Sequence, residues 1–159
     1  MKYFSFVFLA IVIACNAGTG TNEIKSRPDS ASAKSSSAYK PGLGEFMSGI
    51  QVHHAKLWFA GINQNWKLAD FEIHEIGEAL DDIRTFNTDR LEVKSINMID
   101  APIDSLNASI QKQDLNSFRK NFILLTNTCN SCHKATEHGF NVVKVPDAPP
   151  FSNQDFKVQ

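Results

Sequence analysis

Near the end of the chain, Cys129, Asn130, Ser131, Cys132 and His133 set two thiols three residues apart, with an imidazole directly after the second. On a helix this spacing puts both sulfurs on one turn. Thiols so placed can add across the two vinyl groups of a haem while the neighbouring imidazole is presented to its iron, and CxxCH is the attachment signature of c-type haem. The motif predicts one covalently attached haem c, held through Cys129 and Cys132, with His133 as an iron ligand. Three other chemistries of the same residues fit less well. Structural zinc normally takes four ligands, and no second Cys/His cluster completes the set. A thioredoxin-like CxxC belongs to a βαβ setting, which the helical periodicity contradicts. A disulfide across one helical turn closes too small a loop to stabilise much.

The third cysteine sits in a different context. Met1 and Lys2 are followed by an almost wholly apolar run from Tyr3 to Ala14, a charged start and an apolar stretch too short to span a bilayer. Residues 1–14 read as an export signal. The run ends at Val12, Ile13, Ala14, Cys15, which resembles the lipobox of bacterial lipoproteins. That resemblance implies cleavage before Cys15 and acylation of Cys15, anchoring the chain to a membrane by lipid. The alternative is an ordinary secreted chain cleaved near Ala17 or Gly18, or a hydrophobic stub left uncut. Residues 15–42 are rich in Ser, Ala, Gly, Thr and Asn, with little to bury, and read as a disordered tether. Buried acyl chains contribute about 0.8 kcal/mol per methylene, so several hold a protein at the membrane without a spanning helix. Export also suits the haem reading, because c-type haem is joined outside the bacterial cytoplasm. The expected location is the periplasmic side of a bacterial membrane.

The elements that must position the motif follow from apolar spacing. Phe46, Met47, Ile50, His54, Leu57, Trp58 and Gly61 share one face of a first helix starting near Leu43. A turn at Asn63–Asn65 leads to a second helix over about Trp66–Phe86, with Leu68, Phe71, Ile76, Ala79, Leu80 and Ile83 inward and the acidic residues outward. Ile96, Ile99, Ile103, Leu106 and Ile110 continue three- and four-residue steps through a short helical piece into a third helix from about Pro102. Asp114–Ser117 offers N-caps for a fourth helix carrying Phe118, Phe122, Leu125, Cys129 and Cys132, ending at His138 and Gly139. The predicted fold is all-α, an up-down-up-down four-helix bundle over residues 43–138, with an extended C-terminal tail, 139–159, rich in proline. The tail's Phe140, Val142, Val143, Val145, Phe151 and Phe156 are too many apolar groups for a free end, so it is expected to pack near the haem end. His74 with Glu75 and Glu78 reads as a solvated acidic face and not as a metal site.

With 159 residues, 42% of them apolar, the chain supports one domain with a real core. Its formal net charge is −1, from 16 Lys plus Arg against 17 Asp plus Glu, which gives no reason to expect a nucleic-acid partner.

A CxxCH near the C-terminus, on the last helix of a four-helix bundle, resembles the class II cytochromes c, the group of the cytochromes c-prime and their low-spin relatives. The likeness covers about residues 43–138 and its specific motif is CNSCH. The chain departs from that family in its lipobox and its tail. In an alternating bundle the end of helix four lies beside the start of helix one. At 1.5 Å per residue, His133 and Met47 are both roughly 6 to 8 Å from that end. Met47 is the best-placed second iron ligand, and low-spin class II members carry a methionine early in their first helix. Met98 is a rival, and a space-filling Met47 beside five-coordinate iron is the alternative. His54 and His74 lie at the wrong level. Gln51 is expected to face solvent; Ile50, Phe122 and Leu125 should line the haem, and Trp58 and Trp66 should pack in the core.

Iron held by His and Met suits electron transfer. The expectation is a membrane-tethered carrier that is not an enzyme and exchanges electrons with other redox proteins. The alternative is a five-coordinate haem protein binding nitric oxide or carbon monoxide. The resemblance also leaves a homodimer through paired helices open.

Overall fold

The computed structural model describes residues 39–159. Cys15, the signal over 1–14 and most of the tether lie outside the described residues. The described chain is all-helical: α1 (Leu43–Ile62), α2 (Trp66–Phe86), a 3-10 segment (Leu91–Ile99), α3 (Asp100–Gln111) and α4 (Leu115–Ala135). No strand occurs among the described residues, and the chain after α4 runs through turns and bends.

The two tight connections are built alike. After α1, Gln64 takes a left-handed φ of 57°, its amide bonds the Gly61 carbonyl, and the Asn65 amide bonds the Ala60 carbonyl. After α3, Gln113 takes φ 54°, its amide bonds Ile110, and the Asp114 amide bonds Ser109. Each is a Schellman stop, usually made with glycine. The residue that completes the stop then caps the next helix. Asn65 accepts from the Leu68 amide, and Asp114 accepts from the amides of Asn116 and Ser117. One helix therefore ends and the next begins within three residues. Pro102 is the third residue of α3, where its missing amide hydrogen leaves no helical bond unmade.

The core is drawn from all four helices, with Leu57, Ile73, Ile76, Ile83, Leu106, Ile110, Phe118, Phe122 and Leu125 essentially buried. Each such side chain contributes about 1.5–3 kcal/mol by leaving water. Phe118 in the first turn of α4 lies among Trp58, Trp66 and Phe122, with ring centroids 6.3, 6.0 and 6.0 Å away. Trp58 and Trp66, expected in core and helix-end packing, are half-buried and pack against this core. Gly61 sits directly under the Phe118 ring, where a Cβ would come 2.0 Å from Cζ.

Two expectations for α2 fail at single positions. Phe71 points out, 53% exposed, and Ile73 is buried in its place. Glu72, read as outward with the other acids, is fully buried against α1. His53 Nδ1 donates to one of its carboxylate oxygens at 2.7 Å, and the Lys56 ammonium lies 3.2 Å from the other. Both groups come from successive turns of α1, so the buried carboxylate is hydrogen-bonded at one oxygen and faces a cation at the other.

α4 ends earlier than His138 and Gly139 suggested. Ala135 is its last residue, and Glu137, not Gly139, takes the left-handed conformation at φ 63°. The Glu137 amide bonds the Lys134 carbonyl and the His138 amide bonds the His133 carbonyl, a third Schellman stop. The chain beyond touches the helices at two levels. Asn130 bonds the Val143 backbone, while Phe156 is buried with its ring 5.7 Å from that of Phe59, and Asn65 donates to the Lys157 carbonyl.

Candidate functional site

α4 carries Cys129 and Cys132 on one turn, with His133 next to the second. Both cysteines are free thiols. Burial pushes the Cys129 thiol up to about 12, and burial likewise raises Cys132. Burial thus favours the neutral thiol at both positions. No group of three or more His, Cys, Asp or Glu side chains converges to hold a metal among the described residues.

The two thiols and the imidazole line a cavity of about 500 Å³, measured to include its open mouth. Across from them α1 contributes Met47, Ile50 and His54. α2 supplies Ile76 and Leu80, the 3-10 segment Ile96 and Ile99, and α4 also Leu125. The walls are almost wholly apolar. Two further clefts open from the same place, both also lined by Met47 and His133. The larger, about 760 Å³, is polar at its rim, with Arg90, Glu92 and His138. Arg90 is paired there with Glu92, Nη2 to Oε1 at 2.7 Å.

The His133 ring is held from behind. Its Nδ1 donates to the Asn141 carbonyl at 2.7 Å, which fixes the hydrogen on Nδ1 and leaves the Nε2 lone pair free. A metal-ligating histidine needs this arrangement. Two thiols, an imidazole with Nε2 free and a thioether on apolar walls are a donor set of the kind that would hold a covalently attached prosthetic group. Cys129 and Cys132 would tether it, and His133 and Met47 would face its centre.

The remaining sequence expectations sort cleanly. Met98 is 44% exposed on the 3-10 segment and is not part of the cavity wall. Gln51 is exposed, as expected, at the edge of the smaller cleft. Ile50 and Leu125 line the cavity, whereas Phe122 lies one layer deeper, its ring 4.5 Å from that of His54. His74 stays on the surface, bonding the Asp70 carbonyl.

His54, expected two turns deeper than Met47, reaches the same cavity. It is buried and it lines the cavity. Thr126 Oγ1 donates to the Phe122 carbonyl at 2.9 Å, so its oxygen accepts from His54 Nε2 at 2.9 Å. Burial brings the imidazole down from 6.5 to about 4, which keeps it neutral at ordinary pH. The walls from Ile76, Leu80, Ile96 and Ile99 were readable as inward positions, but nothing in their spacing distinguished cavity wall from solid core.

No helix among the described residues is long and apolar enough to cross a membrane. No protein-family model, curated protein or solved structure matches this chain.

Proposed function

We propose that this chain is a monohaem c-type cytochrome that transfers electrons, built as an up-down-up-down four-helix bundle and tethered by lipid at Cys15 to the periplasmic side of a bacterial membrane. The observation that carries the reading is the convergence of Cys129, Cys132, a tautomer-fixed His133 and Met47 on one apolar cavity. The alternating topology is supported by contacts at both levels. Asp70 meets Gln111 and Arg84 meets Asp100 between α2 and α3; Gly61 meets Phe118, and Met47 shares the cavity with His133, between α1 and α4.

Haem in this cavity would supply a one-electron iron centre whose potential depends on its axial ligands and its burial. The protein's own contributions follow from its side chains. Cys129 and Cys132, protonated and desolvated, are the attachment points. His133 presents Nε2 while the Asn141 carbonyl keeps its other nitrogen protonated. Met47 would offer a soft thioether from α1 in the same cavity. The isoleucines and leucine of α2 and the 3-10 segment exclude water, while the larger cleft carries the Arg90–Glu92 pair. His54, neutral and bonded to Thr126, adds no charge to the cavity. No acid–base pair is assigned a substrate, so the proposed partners are other redox proteins, with pairing of two copies as a further possibility. The segment 139–159 is proposed to shield the motif's outer side through its contacts with Asn130 and His133.

The test is the absorption spectrum of the haem-loaded protein in both oxidation states, with and without carbon monoxide, for wild type and Met47→Ala. A low-spin wild type indifferent to the gas, converted to high-spin by Met47→Ala, supports the carrier with Met47 on iron. A high-spin wild type that takes up carbon monoxide replaces it with the reading as a binder of nitric oxide or carbon monoxide. A low-spin spectrum unchanged in Met47→Ala removes Met47 from the iron.

A further inference from the structure

Asn130 lies inside the CxxCH motif yet has no part in attachment or ligation. Its side chain is nonetheless fully engaged: Nδ2 donates to the Val143 carbonyl and Oδ1 accepts from the Val143 amide, both at 2.8 Å. Three residues on, and therefore on the same side of α4, His133 donates from Nδ1 to the Asn141 carbonyl at 2.7 Å. Both side chains grip one stretch of backbone, residues 141–143. Beside these bonds, Val143 is half-buried against Gln51 and His54 of α1 and Val145 packs on the core, while the residues before Val143 are open. Phe140 and Val142 are 84% and 71% exposed, and Asn141 is exposed, with its amide bonded to the His138 carbonyl in the preceding turn.

We infer that Asn130 is a positioning residue: by clamping the Val143 backbone at two points it holds the Asn141 carbonyl against His133 and so sets that ring's tautomer and orientation. The consequence for iron rests on the function proposed above. A carbonyl accepting from Nδ1–H makes the imidazole a stronger donor, and a stronger donor favours the oxidised metal. Loosening the clamp weakens the hydrogen bond and raises the midpoint potential.

The experiment compares the full-length wild type with Asn130→Ala and Asn130→Asp by amide hydrogen exchange and redox titration. Asn130→Ala should speed exchange of the Val143 amide about tenfold or more, leave exchange in the helical core unchanged, and shift the midpoint potential upward with haem still attached. Asn130→Asp keeps the acceptor for the Val143 amide and loses the donor, so its Val143 exchange rate should fall between the other two. Unchanged exchange, or faster exchange with an unchanged potential, overturns the inference. Wild-type protein without covalent haem defeats the proposed function but not the clamp. The ¹⁵N shifts of the His133 ring then decide the matter: a fixed Nδ1–H tautomer lost in Asn130→Ala supports it, and the same tautomer in both proteins overturns it.

Discussion

Adding one methyl group at Gly61 should damage the end of the bundle away from the cysteines. The new Cβ would lie 2.0, 2.2 and 2.5 Å from Cζ, Cε1 and Cε2 of Phe118, where carbon atoms prefer about 3.5–4.0 Å. The ring would have to retreat by more than an ångström, and it is fully buried among Trp58, Trp66 and Phe122. Overpacking of this kind costs about 1–3 kcal/mol. Replacing glycine by alanine in a helix returns up to about 1 kcal/mol, and less here because Gly61 is in the last turn of α1. The expected result for Gly61→Ala is a net loss of about 1–2 kcal/mol, or roughly 5–10 °C in Tm, measured by circular dichroism on heating and in urea. Phe118→Leu removes the ring that is struck, so Gly61→Ala should cost less in that background than in the wild type. Stability equal to or above wild type for Gly61→Ala, or the same cost in both backgrounds, would refute the close packing of α1 on α4.

His54 should give the protein a characteristic acid sensitivity. Its folded pKa of about 4 lies below the ordinary 6.5, so the unfolded chain binds a proton that the folded one excludes. Stability from this group is complete above pH 6.5 and is lost as pH falls from 6.5 towards 4, by up to about 3 kcal/mol. Urea titrations across that window should show the slope in wild type and a flatter profile in His54→Gln; identical slopes would remove His54 as the cause. At Glu137, the left-handed φ favours glycine. Glu137→Gly should raise stability by about 0.5–1 kcal/mol, read from the urea midpoint, whereas a loss would show that the Glu137 side chain supports the turn.

Much of the helical layout was legible because apolar residues recur at three- and four-residue steps and because Asn65 and Asp114 mark the starts of α2 and α4 by their side-chain chemistry. The ends were harder to read. Gln64, Gln113 and Glu137 stop helices in a conformation that normally announces itself with glycine, and the visible glycine, Gly139, lies outside the stop it suggested. Glu72 reads as a surface acid until His53 and Lys56 of α1 are brought beside it, a pairing no local pattern encodes. Of the site, Cys129, Cys132 and His133 declared themselves by spacing, and Met47 by its distance from the end of its helix. His54 lines the cavity although it lies two turns from Met47, because the cavity extends over more than one turn of α1. The Asn141 carbonyl behind His133 depends on the path of the chain after α4, which spacing within the helix does not determine.

The most direct test of the central claim is whether the chain, exported and matured in a bacterial host competent to attach c-type haem, retains haem after denaturation and acid–organic extraction. One haem should stay with each polypeptide by intact mass and absorbance, and Cys129→Ser with Cys132→Ser should abolish its retention. Recovery of the wild-type chain with both thiols free, or with haem that extracts completely, would contradict the account.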